Sequence, residues 1–251
     1  MLDAEAIGWI LGAGAATGAG GLALLAFRRP SDLALDALLG FTAGVMLAAT
    51  AFSLLVPALG EGAVWEVVLG FGLGCLAMVS LDQVLPHVHL RFAERGEAQE
   101  DVRTPARRRA VLLLSALTIH NIPEGMAVGV AFAAGGAELG VPIALAIGIQ
   151  NIPEGFAAAA PLVAAGGRRR DAVLVAAATG LVEPPAALAA LVAFDVVGVL
   201  LPAALGFAAG AMLYVVVDEL VPESHARGNE RAATLALVVG FALMLVLDNA
   251  L

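Results

Sequence analysis

Runs of about 20 apolar residues recur along this chain, the length a helix needs to cross a hydrocarbon core roughly 30 Å thick. Eight can be drawn: about Glu5 to Phe27, Leu33 to Leu59, Ala63 to Leu85, Arg109 to Ala134, Gly140 to Ala165, Asp171 to Phe194, Val199 to Val221 and Arg231 to Leu251. Of the 251 residues, 61% are hydrophobic and 14% charged, and the mean hydropathy is +0.94. A water-soluble domain of that size needs many more charges. The chain therefore reads as an all-α, multi-pass membrane protein with eight transmembrane helices.

The basic residues orient these segments. All 13 are arginines, placed only at Arg28 and Arg29, from Arg91 to Arg109, from Arg168 to Arg170, and at Arg227 and Arg231. Those positions follow the first, third, fifth and seventh segments. The intervening loops and both termini carry no Lys or Arg, and acids such as Asp3, Glu5, Glu61 and Glu138 lie there instead. The positive-inside rule puts the arginine loops in the cytoplasm and both termini outside. The opening MLDAE lacks the basic stretch of a cleaved signal peptide, so the first segment is expected to be retained.

The layout is expected to be a single membrane domain over residues 1–251, divided 3+2+3: three helices over about 5–85, a charged cytoplasmic loop over about 87–108, two helices over about 109–165 and three over about 171–251. A lone Cys75 rules out an intramolecular disulfide or a thiolate cluster. A net charge of −9 with no basic stripe excludes a nucleic-acid partner. Small residues in the first segment, GAGAATGAGG, suit close helix packing.

HNIPEG, residues 120–125, and QNIPEG, residues 150–155, lie inside the fourth and fifth segments. His120 and Glu124 fall one helical turn apart, about 6 Å along the axis, and Gln150 and Glu154 repeat that relation. Asn121 and Asn151 share an edge with the same glutamates. Pro123 and Pro153 each remove a backbone donor and are expected to kink their helices and free carbonyl oxygens. Proline-interrupted segments at matching positions of two antiparallel helices point to a substrate site near the bilayer midplane. A third acid, Glu183 in TGLVEPPAA, is expected in the middle of the sixth segment.

An ionised carboxylate at a helix centre costs about 2.5 to 3.5 kcal/mol, so three unpaired ones would cost roughly 8 to 10 kcal/mol. No Lys or Arg lies within the segment interiors to neutralise them. The glutamates must therefore be protonated or met by a cation.

HNIPEG, QNIPEG, the glutamate of the sixth segment and VPESH at the end of the seventh together resemble the ZIP (Zrt/Irt-like) family of divalent metal-ion transporters, over all eight segments. The resemblance implies uptake into the cytoplasm of zinc, and in some relatives of iron, manganese, cobalt or cadmium, across the plasma (inner) membrane. It implies a binuclear site: His120, Glu124, Gln150, Glu154 and Glu183 match a first metal position, and Asn121, Asn151 and the three glutamates a second. Some relatives carry aspartate where this chain has Asn151, so the second position here lacks one charge. Met46 matches a thioether on the family's pathway. Ser53 and Asp82 are candidates for its lining, His87 and His89 for receiving metal on the cytoplasmic side, and Asp218, Glu219, Glu223 and His225 for an exit route.

No catalytic cofactor is expected; the partners are divalent metal ions and the lipid bilayer, and a homodimer is left open. The competing class is a membrane-embedded metal-dependent hydrolase. Such an enzyme needs several firm protein ligands and an open position for activated water. This chain has no HExxH, and only His120 lies deep in a segment.

Overall fold

The computed structural model describes residues 4–25, 31–94, 105–164, 166–197 and 201–250; side chains at 82–94, 105–117, 120, 161, 164, 194–197 and 250 are outside that description. Among the described residues the secondary structure is helical, with no strand. Seven stretches of the described residues are long and apolar enough to cross a membrane: Ala4–Ala23, Asp32–Glu61, Val64–Leu81, Asn121–Ala160, Arg169–Ala193, Leu201–Ser224 and Glu230–Asn249.

The fourth stretch belongs to a helical run, Pro105–Ala164, that is interrupted at Gly136 (φ 56°, ψ −141°). Its 40 apolar residues would extend about 60 Å as one rod, twice the hydrocarbon thickness. Gly136 supplies the positive φ that a side chain would resist. Gly140 lies against the Phe132 ring and Gln150 hydrogen-bonds Glu124, pairs placed nearly symmetrically about that break. The two limbs, 105–135 and 137–164, therefore run side by side and antiparallel.

The helices are labelled α1 (Ala4–Ala23), α2 (Asp32–Glu61), α3 (Val64–Glu94), α4 and α5 (the two limbs), α6 (Arg169–Gly180), α7 (Glu183–Val197), α8 (Leu201–Ser224) and α9 (Glu230–Ala250). The backbone of α3 stays helical to Glu94, through the beginning of the stretch expected to be a loop from residue 87. Asp82, His87 and His89 ride on that extension, and their side chains lie outside the described residues.

Two prolines decide where the sixth apolar run breaks. Pro184 and Pro185 have no N–H and crowd the preceding turn, so α6 ends at Gly180 and a new helix starts at Glu183. Glu183, expected mid-helix, instead opens α7, where the helix dipole favours negative charge. Pro123 and Pro153 act differently: the helical assignment continues through both, and the non-helical φ/ψ within Pro105–Ala164 is at Gly136.

Val-Pro pairs mark two further irregularities. α2 carries a π-helical stretch at Ala49–Leu55 just before Val56-Pro57, and α8 carries one at Val216–Leu220 just before Val221-Pro222. The Val56 N–H donates to the Ala51 carbonyl and the Val221 N–H to the Val216 carbonyl, each five residues back. The inserted residue accommodates a proline that cannot donate to the regular ladder.

Helices α1, α4, α5, α6 and α7 pack as one group, and α2 with α9 and α3 with α8 as another, joined where α2 and α8 meet the α4–α5 pair. Glycines four apart make the close contacts. Gly40 and Gly44 of α2 face the Ala233 and Leu237 carbonyls of α9, and Gly70 and Gly74 of α3 face the Ala203 and Phe207 carbonyls of α8. Between helices in lipid, where apolar burial gives little drive, this backbone approach supplies van der Waals contact. The first run is thus one of several small-residue seams.

Gly74→Ala is expected to lower stability by about 1–3 kcal/mol, because its new Cβ meets a carbonyl of α8. Gly72→Ala, two residues away with nothing within 4 Å of the added Cβ, should leave the midpoint of thermal unfolding in detergent unchanged or raised.

Candidate functional site

The two hexapeptides face each other across the α4–α5 pair, and the start of α7 and the middle of α1 close on them. The last glycine of each motif makes this approach possible. A Cβ on Gly125 would strike the backbone of Glu183, and one on Gly155 would strike the carbonyl of Thr17. Those two contacts bring the third glutamate and a threonine of α1 against the pair. The same residue type that breaks helices in water serves here as the point of closest contact.

Six polar side chains come together in this way. Asn121, Glu124, Gln150, Asn151, Glu154 and Glu183 are each no more than 1% exposed. Gln150 Nε2 donates to Glu124 Oε1 at 2.6 Å, tying α5 to α4. Asn151 Nδ2 donates to Glu183 Oε1 at 2.8 Å and Oε2 at 2.9 Å, tying α5 to α7, and to the Ala13 carbonyl of α1 at 3.0 Å. Thr17 Oγ1 donates to Glu183 Oε1 at 3.3 Å. The three glutamates lie within electrostatic reach of one another.

Much of this polar surface has nothing to bond. Asn121 Nδ2 and Oδ1, Glu124 Oε2, Gln150 Oε1, Asn151 Oδ1 and both oxygens of Glu154 are buried without a hydrogen-bond partner. Every such atom found among the described residues belongs to the two hexapeptides. A buried polar group left unpaired costs about 1–3 kcal/mol, and more when charged. Six of the seven atoms are acceptor oxygens, the donor set of a hard or borderline divalent cation. Among the described residues no group of three or more His, Cys, Asp and Glu is arranged to hold a metal ion. A cation held here would be met by carboxylate and amide oxygens together. The backbone of His120 lies in α4 beside them, and its side chain is outside the described residues.

The other candidates lie apart from this cluster. Met46 is buried in the core on α2, and its carbonyl accepts from Thr50 Oγ1 at 2.7 Å. Ser53, on the π-helical stretch, donates to Asp248 Oδ1 of α9 at 2.6 Å. Asp218 is exposed and Glu219 half-buried. His225 has Nδ1 2.7 Å from the Val221 carbonyl and Nε2 3.2 Å from Thr234 Oγ1, so both ring nitrogens are engaged. Glu223 pairs with Arg227.

That arginine belongs to a clasp that sequence reasoning missed. Arg227 Nη1 meets Asp36 Oδ1 at 2.9 Å, and Asn229 Nδ2 donates to Asp36 Oδ2 at 3.0 Å, so the loop between α8 and α9 is fastened to the start of α2. Burial opposes the charge on Arg227, but the Asp36 hydrogen bond and Glu223 outweigh it and hold the guanidinium above its ordinary range. Asp36 is fully buried. The signal was a carboxylate, Asp36, set within the apolar run of α2. Thr17 gave no such signal, since a lone hydroxyl among small residues is ordinary in a membrane helix.

The family model described as ZIP zinc transporter matches residues 93–248. The zinc transporter ZIPB of Bordetella bronchiseptica is 45% identical over 246 residues, covering 94% of this chain and 78% of that protein. The zinc transporter GufA of Myxococcus xanthus is 41% identical over 248 residues, covering 95% and 96%. The human zinc transporter ZIP11 is 33% identical, covering 92% and 93%. These relatives are transporters, and nothing among them supports the hydrolytic alternative.

Arg227→Ala leaves the Asp36 carboxylate in its buried position with Asn229 alone. A loss of about 2 kcal/mol, between the values for exposed and fully buried pairs, is expected in detergent unfolding. Asp36→Asn added to that variant should recover part of it.

Proposed function

The chain belongs to the ZIP zinc-transporter family, and from that membership we propose that it moves a divalent metal ion, zinc foremost, across the membrane into the cytoplasm. The cargo is bound by His120, Asn121, Glu124, Gln150, Asn151, Glu154 and Glu183. The observation that carries this reading is the set of buried oxygens without partners on the two hexapeptides. No Lys or Arg occurs between Arg109 and Arg168 to satisfy them, so a cation from outside is the natural counter-charge.

The membrane topology follows from the arginine pattern. Eight crossings, arranged 3+2+3 with both termini outside, put the turn at Gly136 on the outer face and the clasp at Arg227 on the cytoplasmic face. The cluster then lies near mid-membrane. A divalent ion sheds water in exchange for carboxylate and amide oxygens and the imidazole of His120. Oxygen-rich ligation without thiolate also suits iron, manganese, cobalt and cadmium, and kinship favours zinc.

Release inward requires the site to face the other side. Five of the six glutamate and amide ligands sit on the α4–α5 limbs, packed in one group with α1, α6 and α7, while α2, α3, α8 and α9 form the other. Sliding or rocking of one group against the other, along the contact of α2 and α8 with the limbs, gives access to each side in turn. Met46 and Ser53 on α2 would line the way in. Asp218, Glu219, Glu223 and His225 at the end of α8, with His87 and His89, would line the way out.

Uptake of zinc into liposomes carrying the full chain tests the assignment. Glu124→Ala and Glu154→Ala should each reduce the initial rate more than about ten-fold, since loss even of groups that merely support a metal ligand costs that much. Glu138→Ala, an exposed acid away from the cluster, should transport normally. Undiminished uptake by both cluster variants would refute the site.

A further inference from the structure

Glu183 differs from the other two glutamates in that both of its oxygens are already engaged, against one of Glu124, which accepts from Gln150, and neither of Glu154. Oε1 accepts from Asn151 Nδ2 at 2.8 Å and from Thr17 Oγ1 at 3.3 Å, and Oε2 accepts from the same Asn151 nitrogen at 2.9 Å. A nitrogen nearly equidistant from both oxygens of one carboxylate stands on the edge a chelating cation would use. The Ala13 carbonyl, 3.0 Å from that nitrogen, draws it further toward α1. These contacts fix the amide's orientation. Turned over, Asn151 would present an oxygen to three acceptor oxygens, an arrangement with no hydrogen to share.

The outcome is uneven across the cluster. Asn151 Oδ1, Glu124 Oε2 and both Glu154 oxygens have no partner, while Glu183 has donors on both oxygens. Thr17 and Asn151 are themselves fully buried. Gly180 and Gly155 hold the α1 backbone at Thr17 close enough for the hydroxyl to reach, since a Cβ on either would collide with that residue.

We propose that Thr17 and Asn151 form a donor latch on Glu183. While the latch is closed, the Asn151 nitrogen occupies the place of a cation on that carboxylate, and the entering ion is met by Glu124 and Glu154. Glu183 joins the ion only when the amide turns, which carries Oδ1 toward the metal and the nitrogen away. When the ion departs, the donors return to Glu183 and lower the free energy of the empty site. Helix α1 thereby takes part in release as well as packing, and the latch leaves room for one divalent ion at a time where the family resemblance implies two positions. Thr17 is a positioning residue, acting on metal through Glu183. This inference rests on the metal-transport reading above.

Zinc uptake by reconstituted full chain, measured over a range of zinc concentrations, separates the latch from a structural role. Thr17→Val keeps the shape and removes one donor, which weakens the competitor for Glu183. Its KM should fall about five-fold, the value of one hydrogen bond, and its maximal rate should fall as release slows. Thr17→Ser, which keeps the hydroxyl, should restore both. A Thr17→Val protein with unchanged KM, or with raised KM and reduced rate, overturns the latch while loss of uptake in Glu154→Ala leaves the transport reading standing. Uptake by Glu154→Ala would remove that reading and the latch with it. Bound zinc per purified chain gives a second measurement independent of Thr17 packing. The unsubstituted chain should hold one ion and Asn151→Asp, which cannot donate, two; equal counts overturn the proposal.

Discussion

Carboxylate oxygens without donors, set where hydrocarbon excludes water, are the constraint that organises this protein. Desolvation makes such groups expensive to build, and no Lys or Arg between Arg109 and Arg168 offsets the cost. The surrounding structure serves to keep them together. The turn at Gly136 lays one hexapeptide beside the other, Gly125 admits the start of α7, and Gly155 admits α1. Each approach adds polar groups to the cluster without adding a positive charge. The field among the three glutamates can then be relieved by a cation that arrives and leaves, as transport requires.

Prolines have two separate effects in the same chain. In the hexapeptides they sit inside continuous helix, whereas Pro184 and Pro185 end α6 and begin α7. A pair of prolines removes two successive donors and enforces two fixed φ angles, which fits the start of a helix and no other part of it. Glu183 thus gains the favourable field of a helix N-terminus as well as two donors. Its two partner glutamates lie on uninterrupted helix away from a helix start; Glu124 has one donor, Gln150, and Glu154 none. The difference between the glutamates arises from backbone geometry more than from their shared chemistry.

Association of the helices depends on a different residue class. Glycine pairs on α2, α3 and α8 permit backbone contact in two seams, and the charged clasp of Asp36, Arg227 and Asn229 fastens the end of one seam. Salt bridges carry little of the packing in the apolar interior, where dispersion between close backbones does the work. The arrangement leaves α2 and α8, with their π-helical stretches, as the surfaces in contact with the ligand-bearing limbs.

Helical character, the apolar spans, the paired motifs and the glutamate triplet were legible in the sequence because hydrophobic run length and the absence of compensating charge are local properties of the chain. A short break between the fourth and fifth segments, drawn between Ala134 and Gly140, was legible too, and the positive φ at Gly136 falls within it. Glu183 was placed in the middle of a helix because a single acid flanked by prolines does not reveal on which side of them the break will fall. Thr17 and Asp36 were passed over for another reason: their partners, Glu183 and Arg227, lie 166 and 191 residues away. Hydrogen bonds across that separation exist only once helices have packed. Sequence alone determined which groups would be buried in oil, and tertiary structure alone decided which of them meet a donor and which do not.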